Sequence, residues 1–107
     1  MRSRPRLRDL LHGGGDSVTI VVHSKNYCQP CAATKRRLVS NVSDFVEVNL
    51  DEGDEKVNAS IRDELVAAGF QESPVVKVYD DGTEVDAWAG YRPDLIDKWT
   101  KDHERAA

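Results

Sequence analysis

The spacing of apolar residues predicts four strands. Residues 18–23 are a dense β-branched run without clean alternation, which is typical of a central strand covered on both faces. Residues 45–50 alternate between apolar and polar side chains, which predicts a half-buried strand. Two more strands, over 75–79 and 83–87, flank Asp81-Gly82, a pair that favours a tight hairpin turn.

Three helices are predicted between and after these strands. The first covers 29–41 and turns Leu38 and Val42 inward. The second shows apolar residues at helical spacing over 57–68, and the third begins at Pro93. The order β-α-β-α-β-β-α indicates an α/β fold with a four-stranded mixed sheet and helices on both faces, because a helical crossover makes the first two strands parallel.

Charge and length define the domain and its surroundings. The 107 residues suffice for one domain, expected over 18–107, and residues 1–17 are expected to form a flexible basic arm. Four arginines and one aspartate give residues 1–15 a charge of +3. Because the net charge of the whole chain is −4, residues 16–107 carry a charge of −7. An acidic domain is a poor nucleic-acid binder, and the arm is expected to be a solvated tail rather than a contact with an acidic surface.

The hydropathy of the chain indicates a cytoplasmic protein. No apolar stretch approaches the roughly 20 residues that a membrane span needs, and the N-terminus lacks the apolar segment of a secretory signal. We therefore expect no contact with a membrane. In a reducing compartment the two cysteines are not expected to form a purely structural disulfide.

Candidate chemistry lies at Cys28 and Cys31, which are separated by Gln29 and Pro30. The pair stands where the first strand gives way to the first helix, a position that favours redox chemistry. Cys28 is predicted at the N-cap, where its sulfur accepts a hydrogen bond from the Cys31 N–H and lies at the positive end of the helix dipole. Both effects favour a thiolate over a thiol.

These positions predict the roles of the two sulfurs. Cys28 is the expected nucleophile, which forms a mixed disulfide with an oxidised partner, and Cys31 is the resolving residue that releases the reduced partner. Gln29 and Pro30 support the pair, and Pro30 is tolerated because first-turn N–H groups have no helical partner. Cys31 can also be a buried apolar residue without losing its role as the resolving cysteine.

A zinc site is the competing interpretation of the two cysteines. Structural zinc needs about four ligands, and the histidines at 12, 23 and 103 do not have a suitable spacing. No metal is therefore expected. His23 is expected to pack at the end of the first strand, and His103 to be exposed.

Two further segments are candidate partner-binding sites. Ser73-Pro74 precedes the third strand, and a cis proline there exposes the Ser73 backbone to an extended partner segment; an ordinary trans proline is the alternative. In the stretch W-A-G-Y-R-P over 88–93, Trp88 and Tyr91 could form a docking platform where Gly90 permits close backbone approach. Core aromatics followed by a turn are the alternative there.

Basic residues near the cysteines could hold the thiolate or attract an acidic partner. They are Lys25 in the preceding loop and Lys35, Arg36 and Arg37 on the first helix. Arg37 is expected simply to lie on a solvated face of the helix.

Together these residues resemble the NrdH-type redoxins, glutaredoxin-like proteins of the thioredoxin fold. The resemblance covers about 18–101, and the W-A-G-Y-R-P-D segment, similar to the W-S-G-F-R-P of that family, discriminates best. The other matching pieces are H-S-K-N-Y-C at 23–28, A-T-K-R at 33–36, G-F at 69–70 and S-P-V-V at 73–76.

The resemblance implies electron donation to a class I ribonucleotide reductase, typically of type Ib, by a monomer without a bound cofactor. It also implies re-reduction by thioredoxin reductase at the expense of NADPH. The 88–93 stretch, which includes Arg92, is implied to tie the last helix to the proline loop, near an apolar docking surface. The glycine-pair and double-acid segment with which glutaredoxins hold glutathione is not found.

The chain also departs from the family pattern. Pro30 makes the motif C-Q-P-C, which is thioredoxin-like, where the family has C-V-Q-C or C-M-Q-C, and this bears on redox potential and partner choice. Ala89 and Tyr91 replace a serine and a phenylalanine. A glutathione-dependent glutaredoxin is the close alternative function. A non-catalytic binding module, with structural or metal-binding cysteines, is the more distant one.

Overall fold

A four-stranded mixed sheet forms the centre of the computed structural model, which describes residues 18–102. Its spatial order is β2-β1-β3-β4, with β1 and β2 parallel and the other neighbours antiparallel. The strands are β1 (Val18–Ser24), β2 (Val46–Asn49), β3 (Val75–Asp80) and β4 (Thr83–Ala89). The predicted mixed sheet is confirmed. The arm predicted over 1–17 and the histidine at 103 lie outside the described residues.

Helices cover both faces of this sheet. They are α1 (Gln29–Ser40), α2 (Glu55–Ala67) and α3 (Pro93–Asp97), and a π-helical segment, Lys98–Asp102, continues α3. Alternate residues of a strand face opposite ways, so two apolar clusters form. Leu38 of α1 and Ile96 of α3 share one cluster with Val76, whereas Leu65 of α2 packs with Val75 on the other side. Within 18–102, none of the helices combines the length and hydropathy of a membrane span.

Most ends of helices and strands lie at the turn and cap residues that the sequence predicts. Asp81 and Gly82 both have positive φ, of 55° and 87°, as a tight hairpin turn between β3 and β4 requires. The side chain of Asp54 caps α2 by accepting from the N–H groups of the first turn. Gly69, with φ of 97°, follows the end of that helix.

Val42 does not pack inward, and that prediction is wrong. Helix α1 ends at Ser40, and Asn41 forms its C-cap, so the helical periodicity stops before Val42. Val42 takes φ of 57° and is 86% exposed, because the left-handed turn after the cap directs it to solvent.

Arg37 is not merely solvated but joins α1 to α3. Its Nε and Nη2 both donate to the carboxylate of Asp97, in the paired geometry that suits guanidinium and carboxylate. The buried Asn41 donates from Nδ2 to the same carboxylate at 2.9 Å and to Thr100 Oγ1 at 2.8 Å. These bonds fasten the C-terminal half of the helix that begins at the cysteine pair.

Candidate active site

Cys28 and Cys31 form a disulfide at the N-terminal end of α1. Cys28 is the N-cap, with extended backbone, and its Sγ accepts a hydrogen bond from the Cys31 N–H at 3.2 Å. Gln29 and Pro30 fill the first two helical positions, where the missing N–H of proline leaves no helical bond unmade. The cap geometry that the sequence predicts is therefore confirmed.

The two sulfur-bearing residues differ in access. Cys28 is partly exposed, whereas Cys31 is 1% exposed. The hydroxyl of Thr34, also buried, donates to the Pro30 carbonyl at 2.8 Å and stiffens the first turn beneath the disulfide. A large partner can therefore reach the disulfide only from the Cys28 side.

Asn26 fixes the loop that leads into Cys28. Its N–H donates to Asp51 Oδ2 at 2.8 Å and its Nδ2 to Glu52 Oε2 at 3.2 Å, while its Oδ1 accepts from Asn49 Nδ2 at 3.1 Å. All three partners lie where β2 leads into α2. Sequence analysis missed Asn26, because its partners are more than twenty positions away and only the strand pairing brings them close.

An open cavity of about 530 Å³ adjoins Cys28. Two lysines line it and no carboxylate does, although the chain as a whole is acidic. Lys25 and Lys35, predicted near the cysteines, are those two; Arg36 and Arg37 are not part of the lining. The full lining comprises Lys25, Asn26, Tyr27, Cys28, Gln29, Ala32, Lys35 and Asn49.

Lys35 is held by a small polar network under the cavity. Its Nζ donates to Glu47 Oε2 at 2.8 Å, and the same oxygen accepts from the buried Ser24 hydroxyl at 2.6 Å. The hydrogen bond from Lys35, followed by that from Ser24, lowers the pKa of Glu47 below its usual value. Sequence analysis missed Ser24 and Glu47, although the parallel register, which pairs Val22 with Glu47, would have brought them together.

The proline loop and the segment after β4 are in direct contact. The Ser73-Pro74 peptide is cis, and the Pro74 carbonyl accepts from the Gly90 N–H at 2.8 Å. Gly90 has φ of 86°, and a Cβ added there would lie 2.8 Å from Glu72 Oε1. The backbone conformation favours glycine at this position, whereas the Glu72 carboxylate is the end of a flexible, exposed side chain that can move aside.

The W-A-G-Y-R-P stretch does not form a single exposed platform. Trp88 is 5% exposed and belongs to the core cluster of Val76 and Ile96, because its position on β4 directs it toward that face. For Trp88 the core alternative is therefore the correct one. Tyr91 is 39% exposed, and Arg92 is exposed and forms an ion pair with Asp94 at 3.0 Å.

His23 packs at the end of β1, as the sequence predicts. It is half-buried, and its Nδ1 donates to the Val75 carbonyl at 3.1 Å. Burial lowers the pKa of His23 from its usual 6.5, the hydrogen bond to Val75 opposes that shift, and the nearby charge of Lys77 adds to it. Among residues 18–102, no group of three or more histidine, cysteine or acidic side chains could hold a metal ion.

Comparison with known proteins gives consistent matches. The family model described as Glutaredoxin matches residues 20–83. The glutaredoxin-like protein NrdH of Salmonella typhimurium is 35% identical over 81 residues, which are 76% of this chain and 88% of that protein. The structure of NrdH-redoxin from Escherichia coli matches with a TM-score of 0.61 and 32% identity, covering 75% of this chain and 92% of that one.

A thioredoxin supports the fold alone. Mitochondrial thioredoxin 3 of Saccharomyces cerevisiae matches with a TM-score of 0.60 at 17% identity, covering 81% of this chain and 79% of that one. The thioredoxin-like fold implied by the sequence is confirmed. With the disulfide at the helix terminus, the matches identify a thiol–disulfide oxidoreductase with a redox-active cysteine pair.

We predict that His23→Gln weakens the pH dependence of stability between pH 7.5 and 5.5. Well above pH 6.5 His23 is neutral in both the folded and the unfolded state and does not affect stability. Below pH 6.5 the unfolded chain binds the proton first, so the native state loses free energy until the pH falls below the pKa of the folded state.

Urea unfolding at the two pH values measures this effect. The wild-type protein should lose more unfolding free energy on acidification than the variant, in which the titrating group is absent. Equal losses in the two proteins would show that His23 titrates alike in the folded and unfolded states.

Proposed function

The chain belongs to the glutaredoxin family, among its NrdH-type members, and we propose that it donates electrons to a ribonucleotide reductase and is re-reduced by thioredoxin reductase. One observation carries the chemical part of the proposal: a disulfide at the start of α1 with one partly exposed and one buried cysteine. The NrdH relatives support the choice of ribonucleotide reductase as the electron acceptor. The thioredoxin-like activity profile of the E. coli NrdH-redoxin supports the choice of electron source.

In the reduced protein, Cys28 is the nucleophile. Its thiolate attacks one sulfur of the partner disulfide, the partner S–S bond breaks, and the other partner sulfur leaves as a thiolate that takes a proton from water. The N–H of Cys31 stabilises the attacking anion, because it already donates to the Cys28 sulfur at 3.2 Å. A mixed disulfide between Cys28 and the partner results.

Cys31 then resolves the mixed disulfide. After losing its proton, the Cys31 sulfur attacks Cys28, the bond to the partner breaks, and the second partner thiolate leaves. The partner gains two electrons and the protein retains the Cys28–Cys31 disulfide. Burial of Cys31 favours this order, because an external disulfide cannot reach its sulfur before Cys28 has reacted.

Partner contacts require side chains that a docking protein can reach. We assign them to Lys25, Ser73, Tyr91 and Arg92, all of which reach the surface. Buried neighbours act indirectly: Pro74 and Gly90 join the two contact loops through their backbone hydrogen bond, and Trp88 supports them from the core. The protein works as a cytoplasmic monomer without a resident cofactor, and its electrons come from NADPH through thioredoxin reductase.

We predict that Cys31→Ser traps a mixed disulfide through Cys28, because the resolving sulfur is absent. Incubation with an oxidised protein disulfide, followed by non-reducing electrophoresis and mass spectrometry, should show a covalent complex at Cys28. Cys28→Ser is the matched control and should form no complex, since its remaining thiol is buried. A complex that forms through Cys31 instead would reverse the assigned roles.

We predict that thioredoxin reductase alone sustains turnover of the wild-type protein. NADPH consumption is measured with a class Ib ribonucleotide reductase or insulin as acceptor, in parallel with glutathione and glutathione reductase as the other electron source. Turnover should be at least about tenfold faster with thioredoxin reductase, a difference of roughly 1.4 kcal/mol in activation free energy. Turnover supported only by glutathione would refute the proposed electron source and leave the cysteine chemistry intact.

A further inference from the structure

Tyr27 exposes its whole side chain immediately before the nucleophilic cysteine. It is 103% exposed, more than any other large hydrophobic residue in the described part of the chain. Packing an aromatic side chain removes about 150–250 Å² of surface from water. The fold therefore obtains no packing stabilisation from the Tyr27 ring.

The backbone of Tyr27 is also in an unfavourable conformation. Its φ of 56° lies in the left-handed region, where the Cβ of an ordinary residue crowds the backbone. The preceding Asn26 holds the loop in place through its hydrogen bonds to Asp51 and Glu52. A strained residue at an active site, with a side chain that contributes nothing to packing, indicates that the side chain contacts a partner molecule.

We propose that Tyr27 is a specificity-determining contact that favours protein disulfides over small-molecule disulfides. Its ring packs against the extended segment that carries the attacked cysteine of the partner. The inference rests on the proposed donor function and deepens it, because it names a residue that selects the substrate class. No covalent step is added, and the exchange at Cys28 is unchanged.

The cavity beside Cys28 indicates what kind of segment docks there. The cavity, of about 530 Å³, is open to solvent, and both Tyr27 and Cys28 line it. Lys35 is already paired with Glu47, whereas Lys25 forms no ion pair among residues 18–102, so Lys25 is the cation that complements an acidic side chain near the partner cysteine. An extended acidic peptide can therefore place its cysteine at Cys28 and its flank against the ring.

The test compares Tyr27→Asn with a matched control, Val42→Asn. Val42 has nearly the same φ, 57°, and is 86% exposed, but it lies beyond the opposite end of α1. Asparagine adopts left-handed backbone more readily than tyrosine or valine, so both variants should melt at or above the wild-type temperature. Tyr27→Phe keeps the ring and removes only the hydroxyl.

The measurement is a single turnover of pre-reduced protein without any reductase. Two second-order rate constants are determined, one for a synthetic peptide with glutamates beside a C-x-x-C disulfide, the other for 2-hydroxyethyl disulfide. The ratio of peptide to small-disulfide rate constants should fall about five- to thirtyfold in Tyr27→Asn, the range for loss of an aromatic interface contact. Val42→Asn and Tyr27→Phe should keep a ratio within about twofold of the wild-type value, since neither removes the ring.

Two results would overturn the inference. An unchanged ratio in Tyr27→Asn would show that the ring makes no productive contact with the peptide. An equal loss of both rate constants would show that Tyr27 acts on Cys28 itself rather than on substrate choice. Either result leaves the proposed function standing, whereas wild-type protein that reduces neither disulfide defeats that function and this inference together.

Discussion

The hydrogen bond from the Cys31 N–H to the Cys28 sulfur is the interaction on which the chemistry of this protein depends. It exists because Cys28 stands at the N-cap of α1, where the N–H groups of the first turn have no helical acceptor. The rest of the fold keeps that helix end in place. Asn26 fixes the loop before it, and the contact between Arg37 and Asp97 fastens the other half of α1 to α3.

The same placement separates the two sulfurs into different environments. Cys28 is partly exposed beside a cavity with two lysines, and Cys31 is buried one turn further along. A single helical turn therefore provides an accessible sulfur, a shielded sulfur and a donor that stabilises the accessible one. The flanking structure adds recognition: Gly90 joins the proline loop to the segment after β4, and Tyr27 projects beside the disulfide.

Local patterns in the sequence predicted the structural features that depend only on residues close to one another in the chain. The order of strands and helices along the chain, the turn at Asp81-Gly82 and the capping cysteine all follow from periodicity and from residue types that favour caps and turns. Relations between distant segments could not be obtained this way. The bonds of Ser24 and Lys35 to Glu47 depend on the register of β1 against β2. The burial of Trp88 depends on which face of β4 meets the helices.

The most direct test measures the acidity of the Cys28 sulfur in reduced Cys31→Ala. That variant keeps the backbone N–H donor and leaves Cys28 as the only thiol, since the chain has two cysteines. The rate of alkylation by iodoacetamide is followed against pH, with a cysteine in an unstructured peptide as reference. The half-maximal rate should fall at least about one pH unit below the value near 8.5 of a free cysteine. A profile that coincides with the reference would contradict stabilisation of the anion by the helix terminus.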